Sequence, residues 1–146
     1  MGQTLIAAIT AHPRAELCAA LTIPTSGRLG ADAGGVPYSD NVRGAVGRGD
    51  VSIDFSQPKA AIDTAIMMYE TPCKTLVTGT TGYTDTAESA LIASAENITL
   101  VKSGNFSVGI RVLEYLSEKA AAILGEGWDI SILDIHHRHK VDAPSG

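Results

Sequence analysis

The side chains best suited to chemistry are concentrated at the C-terminal end of the chain, in the stretch HHRHKVDAPSG (residues 136–146). Histidine can donate a proton near neutral pH, and a neighbouring lysine can neutralise an anion. The Asp-Ala-Pro-Ser-Gly run that follows is typical of a helix start, whose N–H groups bind carboxylates or phosphates. The stretch therefore predicts that an anionic substrate, held by Lys140 and the N–H groups of Ser145 and Gly146, receives a proton from a histidine.

Two other interpretations of this stretch stay open from the residues alone. His136, His137 and His139 could ligate a metal, although catalytic zinc sites usually space their ligands along a helix turn or draw them from separate elements. The stretch could also be a solvated polar strand end without a function. On one extended strand His136 and Lys140 would share a face about 13 Å apart, so they could converge on one ligand only if the strand bends or ends between them.

Three turns rich in small polar residues follow predicted strands earlier in the chain: FSQP (55–58), GTTG (79–82) and SGNF (103–106). Small residues let backbone groups approach a ligand closely. In parallel α/β sheets, ligands bind outside the carboxyl ends of the strands. Three such turns in succession indicate a nucleotide or cofactor crevice.

The elements that must position these turns alternate between strand and helix. Such alternation implies right-handed crossovers and a mainly parallel sheet, so the predicted class is α/β, Rossmann-like and doubly wound. Ser56 is the predicted N-cap of the second helix. Helices are predicted at residues 4–11, 58–69, 84–95 and 108–124, strands at 16–21, 50–55, 74–78, 98–101 and 128–137, and a long loop at 23–49.

Composition and charge exclude several classes of protein. With 146 residues, 45% hydrophobic and 18% charged, the chain has an ordinary globular composition. The formal net charge of -5 argues against a nucleic-acid partner held by bulk electrostatics. Cys18 and Cys73 lie in no paired motif and are expected to be reduced thiols. No signal peptide or membrane span is recognised, so a soluble cytoplasmic protein is expected.

Four motifs, taken in order, resemble those of the 4-hydroxy-tetrahydrodipicolinate reductase (dihydrodipicolinate reductase) family. They are IDFS (53–56), GTTGY (79–83), NFSVG (105–109) and the HHRHKVDAPSG stretch. The resemblance implies a dinucleotide-binding domain over residues 1–105 and the start of a substrate-binding and catalytic domain over residues 106–146. It also implies hydride transfer from NADPH or NADH to a cyclic dicarboxylate, which yields tetrahydrodipicolinate in lysine biosynthesis through diaminopimelate.

The resemblance also implies roles for individual residues. His136 matches the family's proton donor, and Lys140 matches its second proton-donating and substrate-orienting residue. His137 and Gly146 match substrate contacts. No metal is implied, and full-length members are expected to form homotetramers. The implied cofactor-binding residues are Gly79, Thr80, Thr81, Ser103, Gly104, Asn105 and Phe106.

The chain departs from the family pattern at three points. It begins at Met1, without the first strand and the Gly-rich turn that cradles the pyrophosphate. Thr22 and Ile23 stand where the family often carries an acidic residue and an arginine, so the choice between NADH and NADPH stays open, with Arg28 able to serve from the loop. The chain stops at Gly146, where the motif continues into a helix. We therefore expect a chain truncated at both ends. The alternative to the reductase activity is a catalytically inactive truncated fragment with weak or no nucleotide binding.

Overall fold

The computed structural model describes residues 1–133, 135 and 138. Contacts within the chain divide it into two compact units, Met1–Lys102 and Ser103–Gly146. The first unit contains α1 (Gly2–Ala11), β1 (Ala20–Leu21), β2 (Tyr38–Ser39), α2 (Val42–Val46), β3 (Val51–Asp54), α3 (Pro58–Met68), β4 (Thr75–Thr78), α4 (Asp85–Ser94) and β5 (Thr99–Lys102).

The strands of the first unit form two parallel sheets. One pairs β1 with β2, and the other has the order β3-β4-β5. The register sets Asp54 beside Thr78, and Thr78 beside Lys102, at the carboxyl ends of the three strands. Helices α3 and α4 connect these strands, as parallel neighbours require. The predicted α/β class with mainly parallel strands is confirmed.

The core of the first unit is an apolar cluster centred on the middle strand. Leu76 of β4 is fully buried, and so are Met68 of α3 and Leu91 of α4. Burial of each such side chain stabilises the folded state by about 1.5–3 kcal/mol. Thr78 follows Leu76 at a spacing of two residues and is also fully buried, so the same face of β4 passes from an apolar core to a polar strand end.

Two helix starts show why the helices begin where they do. Pro58 occupies the first turn of α3, where its missing N–H costs no helical hydrogen bond. The Thr84 hydroxyl caps α4 and accepts from the Ala87 N–H at 3.2 Å. The prediction that Ser56 caps α3 is wrong, because the N-cap position is Gln57 and the Ser56 hydroxyl instead donates to Asp54. Gln57 lies directly before the first helical residue and has the extended backbone of an N-cap residue, with φ of -135° and ψ of 156°.

The predicted loop over residues 23–49 contains two short elements, β2 and α2. Helix α2 has five residues, too few to give a helical period in the sequence. Its cap is Asn41, whose side-chain oxygen accepts from the Gly44 N–H at 3.0 Å. Nearby, Asp32 accepts from the N–H groups of Gly34 and Gly35 at 3.1 and 2.9 Å, which closes the loop locally.

The second unit is built on one long helix, α5 (Val108–Leu124), followed by a short 3-10 turn, Gly125–Gly127. The prediction of a strand over residues 128–137 is wrong for residues 128–133, which the structure describes and which form no strand. An extended segment needs a neighbouring strand to satisfy its backbone, and no strand within the described ranges pairs with it.

None of the helices within the described part of the chain is both long enough and apolar enough to cross a membrane. Cys18 and Cys73 are free thiols, as predicted, and Cys73 is buried in the core cluster.

Candidate functional site

The carboxyl ends of β3 and β4 carry a network of hydroxyl groups around one carboxylate. Asp54 ends β3, and one of its carboxylate oxygens accepts from the hydroxyls of Thr78 at 2.8 Å and Thr80 at 2.7 Å. The other oxygen accepts from the Ser56 hydroxyl. Three hydroxyl donors therefore converge on the partly buried Asp54 carboxylate. Their hydrogen bonds offset the free-energy cost of removing this charged group from water.

Backbone groups extend this network into the two turns that follow the strands. The Gly79 N–H donates to the Asp54 carbonyl at 2.8 Å, which continues the sheet by one bond. The Ser56 N–H donates to the Thr80 hydroxyl oxygen at 2.9 Å, and the Thr80 N–H donates to that of Thr78 at 3.2 Å. The turns at 55–58 and 79–82 are therefore tied together across strands 24 residues apart in sequence.

Glycine is required at position 79 by close packing. A Cβ added there would lie 2.1 Å from Cε1 of the Phe55 ring, far inside van der Waals contact. Gly82 closes the same turn with a positive φ of 79°, a conformation that glycine adopts without strain. The GTTG pattern thus has two separate physical reasons, namely the close approach of an aromatic ring and a left-handed turn.

The turn at 79–82 presents some of its residues outward and others inward. Thr80 is only 4% exposed, and both its hydroxyl and its N–H bond within the network. Gly79 and Thr81 are half-buried at the surface of the turn. A ligand that binds here would meet Gly79 and Thr81 more readily than the Thr80 side chain.

Tyr83 packs beside this network and links it to β5. Its ring lies under the Lys102 ammonium, 5.1 Å from the centroid, and Lys102 also pairs with Glu88 at 2.8 Å. The Tyr83 hydroxyl is buried without a hydrogen-bond partner in the described part of the chain. Burial raises the pKa of Tyr83 above its usual value of 10.0, and the carboxylates of Asp54 and Glu88 add to that rise.

In the second unit, the turn at residues 103–106 is organised by short-range bonds. The Ser103 hydroxyl donates to the Asn105 carbonyl at 2.7 Å, and the Asn105 side-chain oxygen accepts from the Ser107 N–H at 2.8 Å. The Arg111 guanidinium donates to the Ser103 hydroxyl oxygen and pairs with Glu114 at 2.6 Å. Phe106 is 45% exposed, whereas Ser103 and Asn105 are half-buried. Gly104 is exposed between them.

The proton-transfer and substrate residues predicted from the sequence, His136, His137, Lys140, Ser145 and Gly146, lie outside the described residues. Within the described part of the chain, no group of three His, Cys, Asp or Glu side chains is placed to hold a metal. Sequence reasoning missed Asp54 and Arg111 as organisers of the turns. For Asp54 the signal was its place at the end of a strand, directly before an aromatic and a hydroxyl residue.

Arg28, considered from the sequence as a cofactor contact, lies near the first turn of α1. Its guanidinium donates to the Gln3 side-chain oxygen at 3.0 and 3.2 Å when that amide is oriented to satisfy both groups. Thr22, also singled out from the sequence, follows β1, and its N–H donates to the Ser39 carbonyl at 2.9 Å.

Comparison with known proteins assigns the chain to a family. It matches the family models "Dihydrodipicolinate reductase, N-terminus" over residues 1–106 and "Dihydrodipicolinate reductase, C-terminus" over residues 109–146. It is 39% identical over 153 residues to the 4-hydroxy-tetrahydrodipicolinate reductase of Neisseria meningitidis serogroup B, covering 100% of this chain and 56% of the relative. It is 40% identical over 157 residues to the enzyme of that name from Laribacter hongkongensis, covering 100% of this chain and 57% of the relative. The chain therefore spans a little over half the length of these curated relatives, and it belongs to the dihydrodipicolinate reductase family.

Proposed function

We propose that this protein reduces 4-hydroxy-tetrahydrodipicolinate to tetrahydrodipicolinate with NADH or NADPH, in lysine biosynthesis through diaminopimelate. The observation that carries the proposal is the Asp54-centred network, which orders a glycine- and threonine-rich turn at the carboxyl ends of a parallel sheet. Dinucleotides bind at that position in doubly wound sheets. The names of the relatives supply the reaction.

The residues proposed to contact the cofactor fall in two turns, one in each unit of the chain. Gly79 and Thr81 offer backbone and hydroxyl groups at the turn surface, and Thr80 anchors the turn from inside. Ser103, Gly104, Asn105 and Phe106 form the second turn. These residues fit a nicotinamide dinucleotide because small polar residues at strand ends allow close backbone contact. The dinucleotide would supply the hydride, so no redox-active side chain is required.

The substrate half of the proposed site lies in residues 106–146. A cyclic dicarboxylate needs cationic and N–H donors, which Lys140, His137, Ser145 and Gly146 would provide. The 4-hydroxyl group of the substrate would leave as water and give a conjugated ring. A hydride from the dinucleotide would then add to that ring and build negative charge, and His136 is the proposed proton donor that neutralises it. As part of the same proposal, we expect the full-length protein to form a homotetramer in the cytoplasm, as the family resemblance implies.

A substitution at His136 tests whether this residue acts in catalysis and not in cofactor binding. His136→Gln should lower kcat by about 10²–10⁴-fold, because a general acid is lost, and should leave the cofactor Kd within about twofold. His139→Gln is the matched control, since no role is assigned to His139. The assay follows loss of the reduced nicotinamide absorbance with 4-hydroxy-tetrahydrodipicolinate, alongside calorimetric titration with NADPH. Equal losses of turnover and cofactor affinity would contradict the assigned role.

The same titration separates this function from the alternative of an inactive chain with weak or no nucleotide binding. Micromolar affinity of the 146-residue chain for NADPH or NADH would contradict that alternative. A folded chain with neither binding nor turnover would favour it.

A further inference from the structure

We propose that Asp54 is a positioning residue for the cofactor turn at residues 79–82, holding it in its ligand-binding conformation by accepting the hydroxyls of Thr78 and Thr80. The inference rests on the proposed function, because it assigns the turn a dinucleotide as its ligand. It concerns a residue that would touch neither the cofactor nor the substrate.

The geometry shows how one carboxylate can fix the turn. Both threonine hydroxyls donate to the same Asp54 oxygen, at 2.8 and 2.7 Å, from positions on either side of Gly79. With its proton directed at Asp54, the Thr80 oxygen is oriented to accept the Ser56 N–H at 2.9 Å. Loss of the carboxylate would leave both threonine hydroxyls without their hydrogen-bond acceptor. Water could not easily replace it at Thr80, because Thr80 is only 4% exposed.

The alternative role, a carboxylate acting directly on the ligand, fits the contacts less well. Each Asp54 oxygen already accepts at least one hydroxyl, so most of the carboxylate's acceptor positions are used within the protein. Little acceptor capacity is then left for a ligand. Because these bonds join residues 24 and 26 positions apart, they exist only in the folded sheet.

The chain offers a matched control carboxylate and a matched destabilised control. Asp63 on α3 pairs with Lys59 at 2.6 Å across one helical turn and is half-buried, so Asp63→Ala removes a carboxylate outside the Asp54 network. Ile62 packs against the core cluster, so Ile62→Val lowers stability without removing a polar group. Asp54→Asn is the conservative variant, because its amide oxygen can still accept both threonine hydroxyls.

The test is calorimetric titration of the 146-residue chain and its variants with NADPH and NADH, with thermal unfolding recorded for each. We expect Asp54→Ala to weaken binding by about tenfold or more, which corresponds to about 1.4 kcal/mol, and Asp54→Asn to recover part of that loss. Asp63→Ala and Ile62→Val should bind within about twofold of the native chain. A loss of affinity in Ile62→Val equal to that in Asp54→Ala would overturn the inference, because general destabilisation would then explain both.

The remaining outcomes separate the inference from the function on which it rests. Native-like affinity in Asp54→Ala overturns the inference and leaves the proposed function standing. If the folded native chain binds neither dinucleotide, the proposed function fails. The inference is then decided by hydrogen exchange at the Ser56 and Thr80 amides. Protection lost in Asp54→Ala but kept in Ile62→Val supports the positioning role, and protection kept in both overturns it.

Discussion

The two units of the chain support their candidate cofactor turns in different ways. In the first unit, the 79–82 turn is held by bonds between residues 24 and 26 positions apart, above a core in which Leu76 is fully buried. In the second unit, the bonds that Ser103, Asn105 and Arg111 make in and around the 103–106 turn join residues two to eight positions apart. No residue of α5 is buried, and Leu116 is 57% exposed.

This difference indicates which of the two turns depends on an intact sheet. A turn held by distant residues keeps its geometry only while the sheet is intact, and a turn held by near neighbours depends mainly on its own helix start. Substitutions in the two units should therefore have unequal effects on stability.

The largest difference should come from truncating one leucine in each unit. Leu76→Ala should lower the free energy of unfolding by about 2–5 kcal/mol, because it leaves a cavity in a closed core. Leu116→Ala should cost less than about 0.5 kcal/mol, because the side chain is already exposed. Urea unfolding monitored by circular dichroism measures both. Comparable losses at the two positions would remove the distinction between the units.

Glycine substitutions should change stability in opposite directions in the two units. Gly79→Ala should cost about 1–3 kcal/mol and weaken dinucleotide binding, because the new Cβ collides with the Phe55 ring. Gly109→Ala, in the first turn of α5 with its nearest contact at 3.7 Å, should be neutral or stabilising by up to about 1 kcal/mol. Gly27→Ala, with open space around it, is the control for a harmless methyl group. A tolerated Gly79→Ala would mean that the ring is free to move away.

The two helix caps should differ by a smaller amount. Thr84→Ala should lower stability by about 1 kcal/mol, since its hydroxyl accepts the Ala87 N–H at 3.2 Å. Ser107→Ala should cost about half as much, since its contact with the Ile110 N–H is 3.5 Å long. Thermal unfolding of both variants, with Thr86→Ala as the control inside α4, measures the difference. A larger loss at Ser107 would contradict this ranking.

The smallest effect concerns the buried hydroxyl of Tyr83. Because its folded pKa is raised above 10.0, the unfolded chain loses this proton first, so stability is unaffected below about pH 10 and falls above it. Tyr83→Phe should remove that alkaline loss and be neutral or stabilising by up to about 1 kcal/mol near pH 7, since the hydroxyl has no partner in the described part of the chain. Unfolding at several pH values tests this, with Tyr69→Phe, at an exposed tyrosine, as the control. An unchanged alkaline loss in Tyr83→Phe would contradict the assignment.

The sequence predicted the longer elements because they satisfy local rules. Residues 58–69 and 84–95 have a proline or a threonine at their start and apolar residues at helical spacing, and α3 and α4 form within these ranges. The strand predictions near β3, β4 and β5 hold for the same reason, since each is a short β-branched run between turns. The parallel order followed from their alternation with helices.

The features that sequence reasoning missed depend on distant partners. Asp54 acts on Thr78 and Thr80, and nothing in the IDFS motif alone indicates hydroxyls 24 and 26 positions away. Strand β2 has two residues and exists through its pairing with β1. The wrong strand prediction at residues 128–133 has the opposite cause, because an alternating pattern was present without a strand to pair with. The roles of His136 and Lys140 stay predictions.

The most direct test of the central claim is an NMR titration of the isotopically labelled 146-residue chain with NADPH. If the strand-end turns form a dinucleotide site, the amide signals of Gly79, Thr80 and Thr81 should shift in a saturable manner, together with those of residues 103–106, while signals around Asp63 stay in place. Saturable shifts that avoid both turns, or no shifts at all from a folded chain, would contradict the account.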